Sequence, residues 1–404
     1  MLRRVSWENA VAKHIEVRKA VGAILRQALF FIAALLGFIS VAAVAQGQVT
    51  CAFVNDNLPA ANTVEGYRIS GGATPVAAVA TGGNGSPTND PTFFGTPLIA
   101  IAPGTTHLYA SDNGSSDIAL FDIDSATCAL TLVSTFPSGG TTLFGVGITI
   151  SRDGRFLYAS NADRQSTLVV FPINSDGSLG SAVQTVSLPA NPSSLAIAPN
   201  GKVLIITQPT ARNQVESYTV DPSSGKVAFA SAVTTVAAAD GIAIDPHSKF
   251  VYVGDGGEGG SAAVQVIEIG AGGSLRYVAN VVFNGINNPA GIPGGSNCLL
   301  FSPNGKLLLF SDQVTAQVIS LSVDSQTGGL SFLSLANDGD AFVDEPSQLA
   351  ANTTHSLVFT GDFNTQGAPS MGVLRASPNG ALKLLATLPL TPKAAATSIA
   401  AISF

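Results

Sequence analysis

A short phrase recurs along this chain at nearly regular intervals, and the repetition limits the possible folds more than any other feature. Residues 198–202 read APNGK, residues 302–306 read SPNGK, and an apolar run follows each phrase. Related segments begin at Ala102, Ser151, Ala198, Asp245, Ser302 and Ala351, and residues 51–56 match their second half. A spacing of roughly 45 to 57 residues is typical of the four-stranded blades of a β-propeller.

Each repeat shows the same order of strand and turn signals. A short apolar strand, such as residues 194–198, meets an Asn-Gly or Asp-Gly turn whose positive φ positions suit a tight hairpin. A second strand rich in β-branched and aromatic residues follows, as at residues 156–160, and a third comes after a polar loop, as at residues 167–173. A glycine-rich turn then leads to an outer, edge strand. Each repeat is therefore expected to form one antiparallel blade.

The two ends of the repeat region complement each other. The incomplete first copy starts at the second strand of a blade, whereas residues 397–404, TSIAAISF, read as an inner strand without a successor. Pairing of these two segments completes a seventh blade and leaves no gap in the ring. The sequence therefore predicts an all-β, seven-bladed β-propeller over residues 46–404, closed by the C-terminal strand.

The first 45 residues carry an apolar run of the kind that directs export. Six basic residues precede ALFFIAALLGFISVAAVA, which ends at the small-x-small site Ala43-Val44-Ala45. We therefore expect residues 1–45 to be a signal peptide and the protein to be periplasmic or extracellular. At 18 residues the run can also span a bilayer, so an uncleaved N-terminal anchor is the alternative, and it would be the only membrane contact.

The charge of the remaining chain argues against nucleic acid as a partner. Residues 1–45 hold six of the 19 basic and two of the 26 acidic residues. The rest of the chain therefore has 13 basic and 24 acidic residues and a net charge of −11. Phosphate binding requires clustered lysine and arginine, which an acidic surface does not offer.

The three cysteines, Cys51, Cys128 and Cys298, lack the close spacing of zinc or redox motifs. In an exported protein, one disulfide and one free thiol are expected. Cys51 and Cys128 both fall near turns on the same face of the predicted propeller and form the favoured pair. Cys298 falls in an inner strand and is expected to be a buried apolar side chain.

The repeat units resemble a known family. The segments LAIAPNGKVLIIT and ITISRDGRFLYASN are similar to repeats of the seven-bladed lactonase propellers, which include bacterial 6-phosphogluconolactonase and the fungal muconate-lactonising enzyme, and to the YVTN repeats of bacterial surface proteins. The resemblance covers residues 51–404 and rests on turn and core positions, so it is more specific for fold than for activity. It implies a site at one mouth of the central channel, formed by the loops that enter the inner strands and the loops between the second and third strands.

The family enzymes place histidine, arginine and glutamate at this mouth, and the sequence departs from that pattern. No histidine occurs in the segments at four inner strands, residues 143–150, 190–197, 238–244 and 344–350. His107, His247 and His355 are instead expected at one repeat position, in the turn between the first and second strands, on the opposite face. We interpret them as surface residues of the rim rather than as a catalytic set.

One polar residue ends the second strand of every repeat, and we call these seven positions the polar column. Its members are Asp56, Asp112, Asn161, Gln208, Asp255, Asp312 and Asp362. We expect them to accept hydrogen bonds from backbone N–H groups where the chain leaves the strand. The alternative is an acidic ring that attracts a cation or a polar substrate, but the second strands lie too far apart for their side chains to share one ion.

Charged and polar residues in the loops of the expected mouth are the candidates for function. The catalytic candidates are Asp240, Arg164 and Glu345, and the ligand-binding candidates are Asp163, Arg212, Asp344 and Asn191. A carboxylate beside an arginine can activate water and polarise a lactone carbonyl, which is the acid–base chemistry of ester hydrolysis. Taken singly, each of these residues is more often a solvated loop group.

The sequence assigns no cofactor and no metal site. Residues 112–117, DNGSSD, and residues 338–345, DGDAFVDE, weakly resemble calcium ligands, but neither matches an established calcium loop. Ca²⁺ is therefore kept only as an alternative. P-loop, GxSxG and HExxH motifs are absent from the sequence.

Two functional hypotheses follow from these observations. The resemblance implies a lactone hydrolase similar to 6-phosphogluconolactonase, which opens a ring ester with water activated at the mouth. The missing histidines favour the alternative, a non-catalytic exported propeller that binds its partner at the same mouth. The partner would be a small lactone or sugar, or a glycan or protein of the cell envelope, and we expect the protein to act as a monomer.

Overall fold

The computed structural model describes most of the predicted propeller. The described residues are 48–86, 96–141, 145–209, 213–255, 262–283, 296–312, 315–337, 347–362, 369–391 and 398–404. The predicted signal peptide or anchor, residues 1–45, lies outside these ranges. Within them, no helix is long and apolar enough to cross a membrane.

The described strands form seven four-stranded antiparallel sheets, which are the blades of a ring. We number the blades in chain order and name the strands of each blade inner, second, third and outer. The predicted all-β, seven-bladed architecture is confirmed. Blade 1 contains β1 (Thr50–Asn55), β2 (Thr63–Ile69) and β3 (Ala73–Ala80). Blade 2 contains β4 (Ile99–Ile101), β5 (His107–Asp112), β6 (Asp117–Ile123) and β7 (Leu130–Pro137). Blade 3 contains β8 (Gly145–Ile150), β9 (Phe156–Ala162), β10 (Thr167–Pro172) and β11 (Gln184–Ser187).

The later blades repeat this order, and a 3₁₀ turn, Ala271–Gly273, precedes the outer strand of blade 5. Blades 4 and 5 contain β12 (Leu195–Ile197), β13 (Val203–Gln208), β14 (Gln214–Val220) and β15 (Val227–Thr234), then β16 (Ile242–Ile244), β17 (Phe250–Gly254), β18 (Ala263–Ile269) and β19 (Leu275–Val282). Blades 6 and 7 contain β20 (Ser296–Phe301), β21 (Leu307–Asp312), β22 (Gln317–Val323) and β23 (Leu330–Asn337), then β24 (Ser347–Ala351), β25 (Leu357–Asp362), β26 (Ser370–Ala376) and β27 (Leu382–Pro389). The inner strand of blade 1 is β28 (Ser398–Ser403).

The two faces of the ring carry different connections. Because neighbouring strands of a blade run antiparallel, the segments that enter the inner strands share one face with the loops between the second and third strands. We call this the entrance face. The turns between inner and second strands, and those between third and outer strands, lie on the opposite face, which we call the turn face. The family resemblance implies a site on the entrance face.

The recurring phrase forms the turn between the inner and second strands. In blade 4, the N–H of Gly201 donates to the carbonyl of Ala198 at 2.7 Å, and the N–H of Ala198 donates to the carbonyl of Val203 at 2.7 Å. Gly201 has a φ of 70°, in the left-handed region that glycine adopts at low cost. Gly154 and Gly305 have φ angles of 73° and 67° in the matching turns. The phrase recurs because the same backbone requirement recurs.

The second strands form the centre of the core. β9 and β13 are buried along their whole length, without alternation between buried and exposed positions. The reason is that a second strand packs against neighbouring blades through both of its faces. The outer strand β7, in contrast, mixes exposed and partly buried positions because it borders solvent.

The C-terminal strand closes the ring as predicted. β28 pairs antiparallel with β1 over six residue pairs. The hydroxyls of Thr50 and Ser403 hydrogen bond at 2.8 Å across this pair. The N–H of Leu98 in blade 2 donates to Ser398 Oγ at 2.9 Å, so β28 also contacts the next blade.

A disulfide joins blades 1 and 2. Cys51 in β1 is bonded to Cys128, in the turn between β6 and β7, with the two Cα atoms 5.6 Å apart. This is the pair that the sequence favours, and both residues are fully buried. Cys298 lies in the inner strand β20 as a free thiol. Burial raises the pKa of Cys298 to about 11, so the thiol is protonated at neutral pH.

Candidate functional site

Asp240 lies on the entrance face in the segment that leads into β16, the inner strand of blade 5. Its side chain is buried, and the hydroxyl of Ser193 donates a hydrogen bond to its Oδ1. Thr207 Oγ1 donates to the backbone carbonyl of Asp240 at 2.7 Å. Ser193 precedes β12 in blade 4, so two neighbouring blades hold this carboxylate in a defined orientation.

A hydrogen bond between blades 2 and 4 holds Ser193 in place. Thr96 Oγ1, from the segment before β4 in blade 2, donates to the carbonyl of Ser193 at 2.6 Å. Gly147 in β8 lies between them, and a Cβ atom there would be 2.9 Å from Leu195 and 3.0 Å from Thr96. A side chain at this position would separate the two segments, so glycine is needed for the close approach.

Two of the predicted ligand-binding residues serve the structure of blades 3 and 4. Asp163 Oδ2 accepts hydrogen bonds from Thr141, through its N–H at 2.8 Å and its hydroxyl at 2.9 Å, and Oδ1 accepts the N–H of Gln165 at 2.7 Å. Asn191 Oδ1 accepts the hydroxyl of Ser166 at 2.7 Å. Both side chains therefore connect loops within the protein.

Arg164 follows Asp163 in the loop between β9 and β10, and its side chain is exposed. It forms no hydrogen bond or ion pair with another described residue, which leaves its guanidinium available to a ligand. Arg212, Asp344 and Glu345 lie outside the described residues. Asp240 in blade 5 and Arg164 in blade 3 thus both lie on the entrance face, the first buried and held by Ser193 and the second exposed.

A protein-family model matches the central part of the chain. Residues 144–239, which contain the strands of blades 3 and 4, match the family model described as "Lactonase, 7-bladed beta-propeller". The resemblance to the lactonase propellers is confirmed. The match covers just under a quarter of the 404 residues and ends one residue before Asp240. The lactonase-like segment therefore includes Asp163, Arg164 and Asn191.

Solved structures similar to this lactonase-like propeller extend the likeness over most of the chain. The periplasmic gluconolactonase of Pseudomonas aeruginosa is 19% identical, with a TM-score of 0.67, and the alignment covers 85% of this chain and 97% of that one. A protein of Bacteroides fragilis described as a candidate 6-phosphogluconolactonase is 16% identical, with a TM-score of 0.65 and coverages of 90% and 99%. At this identity the likeness shows the fold alone. Comparison with curated proteins gave no match.

The polar column at the ends of the second strands has a different structural role from the one predicted. Asp112 Oδ1 accepts hydrogen bonds from Asn62 Nδ2 at 2.7 Å and Thr81 Oγ1 at 2.8 Å. Asn161 Oδ1 accepts the hydroxyl of Ser138 at 2.7 Å. For these members, side chains of the preceding blade replace the expected backbone donors, because the preceding outer strand ends beside the column. Asp112 and Asn161 therefore join adjacent blades, whereas Asp312 accepts the hydroxyl of Thr315, a residue of its own blade, at 3.0 Å.

No cation site emerges from this column or elsewhere in the described part of the chain. Within the described residues, no group of three or more His, Cys, Asp or Glu side chains is placed to hold a metal ion. The segment DGDAFVDE at 338–345 lies outside these residues.

Asp56 and Glu65 form a carboxyl pair in blade 1, next to Thr391 at the end of blade 7. Asp56 is fully buried, its Oδ2 accepts the hydroxyl of Thr63, and its Oδ1 has no hydrogen-bond partner. Glu65 accepts the N–H of Thr391 at 2.6 Å and the hydroxyl of Thr391 at 2.8 Å. Burial, followed by the negative charge of Glu65, raises the pKa of Asp56 to about 8.

Replacing Asp56 by asparagine is expected to stabilise the fold at alkaline pH. Because the folded pKa lies above the ordinary value, Asp56 contributes stability that is complete below about pH 4 and is lost as the pH rises through about 8. Asp56→Asn removes this dependence and should raise the free energy of unfolding near pH 8 by roughly 2 to 4 kcal/mol. Urea unfolding at several pH values measures the difference, which should shrink toward acid pH.

A second variant tests the assigned cause. Glu65→Gln keeps hydrogen-bonding groups beside Thr391 but removes the neighbouring charge, so it should reduce the pH dependence without removing it, because burial is the larger cause of the raised pKa of Asp56. An unchanged pH profile in both variants would contradict the assignment of the buried pair.

The three histidines occupy the turn face, but they do not share one repeat position as predicted. His107 is the first residue of β5, and its Nδ1 lies 2.8 Å from Asp122 Oδ1. His247 is an exposed turn residue beside Asp245. His355 has a φ of 51° and takes the place that glycine has in the matching turn of blade 4. The prediction was wrong because the turns differ in sequence while keeping the same backbone shape.

Sequence reasoning missed Ser193 and Thr96, which hold Asp240 in place. Both are small polar residues in segments that enter inner strands. Nothing in their local sequence distinguishes them from other loop hydroxyls. Their role depends on a contact between blades 2 and 4 that only the ring brings together.

Proposed function

We propose that this lactonase-like propeller hydrolyses a small sugar or aliphatic lactone at the entrance-face mouth. The observation that carries the proposal is the buried Asp240 carboxylate, oriented by Ser193 at the mouth where the family resemblance implies a site. The family match to the adjacent blades and the gluconolactonase among the similar structures support it.

The proposed reaction uses Asp240 as general base and Arg164 as the polarising cation. The carboxylate of Asp240 takes a proton from water, and the resulting hydroxide adds to the carbonyl carbon of the lactone. The guanidinium of Arg164 stabilises the oxyanion that forms. The ring C–O bond then breaks, and the leaving alkoxide takes the proton back from Asp240 to give the hydroxy acid.

Replacing Asp240 is the direct test of this proposal. Acid release from a panel of sugar and aliphatic lactones, with and without Ca²⁺, would be followed for the full chain and for Asp240→Asn. We expect turnover to fall about 10²- to 10⁴-fold, the usual contribution of a general base. Asp153→Asn is the matched control, because Asp153 lies on the turn face and pairs with Arg155 at 2.7 Å. Equal activity of Asp240→Asn and the wild type would contradict the assigned role.

The second candidate function is non-catalytic binding of a cell-envelope glycan or protein at the same mouth. The observation in its favour is that Asp163 and Asn191 already accept hydrogen bonds from protein groups and are not free for chemistry. Absence of turnover on every lactone, by a folded protein, would favour this function.

We also propose that the protein is exported and acts as a monomer. The disulfide between Cys51 and Cys128 supports export, because such bonds persist in oxidising compartments. N-terminal sequencing of the protein from fractionated cells should give a start near Gln46 in the periplasmic or secreted fraction. An intact N-terminus in the membrane fraction would show the anchor instead, and a cytosolic protein would contradict both.

A further inference from the structure

A pocket without charged residues opens on the turn face between blades 6 and 7. It has a volume of about 200 Å³, and it is lined by the turns that follow β20, β24 and β26 and by the strands beneath them. No Asp, Glu, Lys or Arg is among its lining residues, all of which belong to the described chain. The groove at the same place between blades 3 and 4 is lined by Arg152, Asp153 and Lys202. The two sites therefore differ in charge although the turns around them correspond.

The pocket exists because blade 6 lacks the aromatic side chains that fill matching interfaces. Tyr158 in blade 3 and Tyr252 in blade 5 each donate a hydrogen bond, at 3.1 Å, to a glycine carbonyl of the following blade, and both rings are buried. Leu309 occupies this position in blade 6. Leu307 likewise replaces the phenylalanine that begins the second strand in blades 3 and 5. The smaller aliphatic side chains leave space that aromatic rings fill elsewhere.

Aliphatic side chains form the floor of the pocket. Leu300, Leu307 and Leu309 come from blade 6, and Val358 and Ala376 come from blade 7. Leu309 and Val358 belong to the buried core between the two blades, and Leu300 and Ala376 pack against that core. The floor therefore offers apolar surface to one face of a ligand.

Uncharged polar groups form the rim of the pocket, and some of them retain hydrogen-bonding capacity. The hydroxyls of Thr354 and Ser356 bond to each other at 2.8 Å. Asn304 Oδ1 accepts the hydroxyl of Ser302 at 2.9 Å, whereas its Nδ2 group forms no hydrogen bond with another described residue. The hydroxyl of Ser377 is likewise without a partner among the described residues. The rim thus keeps one amide donor and one hydroxyl for a ligand.

His355 adds an acceptor to the rim. Burial lowers the pKa of its imidazole, and a hydrogen bond from the ring to the backbone carbonyl of Phe301 opposes this only in part, so the ring is mainly neutral at pH 7. One nitrogen of a neutral imidazole donates and the other accepts. Since the donor nitrogen is used by Phe301, the second nitrogen is an acceptor.

This combination of floor and rim selects the chemistry of the ligand. An ion would lose its hydration without meeting an opposite charge. A wholly apolar ligand would cover the polar rim and leave its donors and acceptors without partners. The matching ligand is uncharged, has an apolar face and carries hydroxyls that both donate and accept.

We propose that the pocket between blades 6 and 7 binds one uncharged hexopyranose unit, as a free sugar or as the terminal residue of a glycan. The apolar face of the sugar ring lies on the leucine floor, and its hydroxyls bond to Asn304, Ser377 and His355. A cavity of roughly 150 Å³ holds benzene, so about 200 Å³ has room for one six-membered ring. The pocket is on the face opposite Asp240 and does not depend on the proposed lactone hydrolysis.

Calorimetric titration of the full chain with the methyl glycosides of glucose, galactose and mannose tests the site. At least one of them should bind at a single site with a dissociation constant on the order of 1 mM, and glucuronate and glucosamine should bind at least about tenfold more weakly. Ser377→Ala and His355→Gly should each weaken the sugar roughly threefold to tenfold, the value of one hydrogen bond. Leu309→Tyr should fill the pocket and weaken it at least about tenfold.

Ser248→Gly is the matched control for His355→Gly. Ser248 has a φ of 60° at the same turn position in blade 5 and does not line the pocket, so glycine fits its backbone as it fits that of His355. The control should bind the sugar as the wild type does. A disaccharide that binds more tightly than its monosaccharide assigns the pocket to the end of a glycan, and equal affinity assigns it to a free sugar.

Two results would overturn the proposal. The first is no binding of any of the three glycosides up to about 50 mM. The second is equal affinity of the wild type and the folded variants at Ser377 and His355, which decide the question even where Leu309→Tyr does not fold.

Discussion

Deletion of residues 398–404 is expected to abolish the native fold. These residues contain β28, which supplies the inner strand of blade 1 and pairs with β1 over six residue pairs. Without it, the fully buried β1 becomes an exposed edge, and Leu98 loses the hydroxyl of Ser398 that accepts its N–H. The loss is comparable with the roughly 5–15 kcal/mol by which typical domains are stable. Circular dichroism and urea unfolding should show no cooperative transition.

Deleting Phe404 alone is the matched control for this prediction. It leaves β28 whole and removes the hydrogen bond from the Phe404 N–H to the Val49 carbonyl at 2.9 Å. The expected cost is about 1 kcal/mol. A peptide of residues 398–404 added to the truncated chain should restore the transition, whereas a scrambled peptide should not. A truncated protein as stable as the wild type would contradict closure through β28.

Removal of the disulfide is expected to have the second-largest effect on stability. The Cys51–Cys128 bond spans 77 residues of sequence and links blade 1, where the ring closes, to blade 2. Constraint of the unfolded chain by a loop of this size corresponds to about 4 kcal/mol. The double substitution Cys51→Ala and Cys128→Ala should lower the urea midpoint by the corresponding amount, and a reducing agent should reproduce the effect in the wild type.

Cys298→Ala distinguishes loss of the bond from loss of a cysteine side chain that forms no disulfide. The Cys298 thiol accepts the N–H of Leu349 at 3.2 Å but forms no disulfide. The variant should therefore be destabilised much less than the double variant, and a reducing agent should still lower its stability. Equal unfolding midpoints for the double variant and the wild type would contradict a stabilising role for the bond.

The number and order of the blades could be predicted because each blade repeats its local chemistry. The Asn-Gly turns, the β-branched second strands and the inner strand at the C-terminus are visible within short windows, and the local preferences agree with the final fold. Gly201 and Gly305 have positive φ angles, as the recurring phrase predicts. The pairing of β28 with β1 followed from counting strands rather than from any single residue.

The candidate site was predicted less well because the ring brings together side chains that the sequence keeps far apart. The sequence identified Asp240, but its hydroxyl partner Ser193 is 47 residues away. Asp163 looked like a ligand-binding carboxylate, yet it accepts the hydroxyl of Thr141, in the segment that links blades 2 and 3. Such partners depend on the packing of blades and cannot be read from a local pattern.

The sequence by itself determined the repeating blade, the turn that each blade needs and the segment that closes the ring, because these depend on backbone preferences and on the recurring order of apolar strands and turns. Only the tertiary structure decided which polar groups bond across blades and where a cavity opens. Ser193 looks like any loop serine in the sequence. Its importance arises because the ring places its hydroxyl against the carboxylate of Asp240 in the next blade.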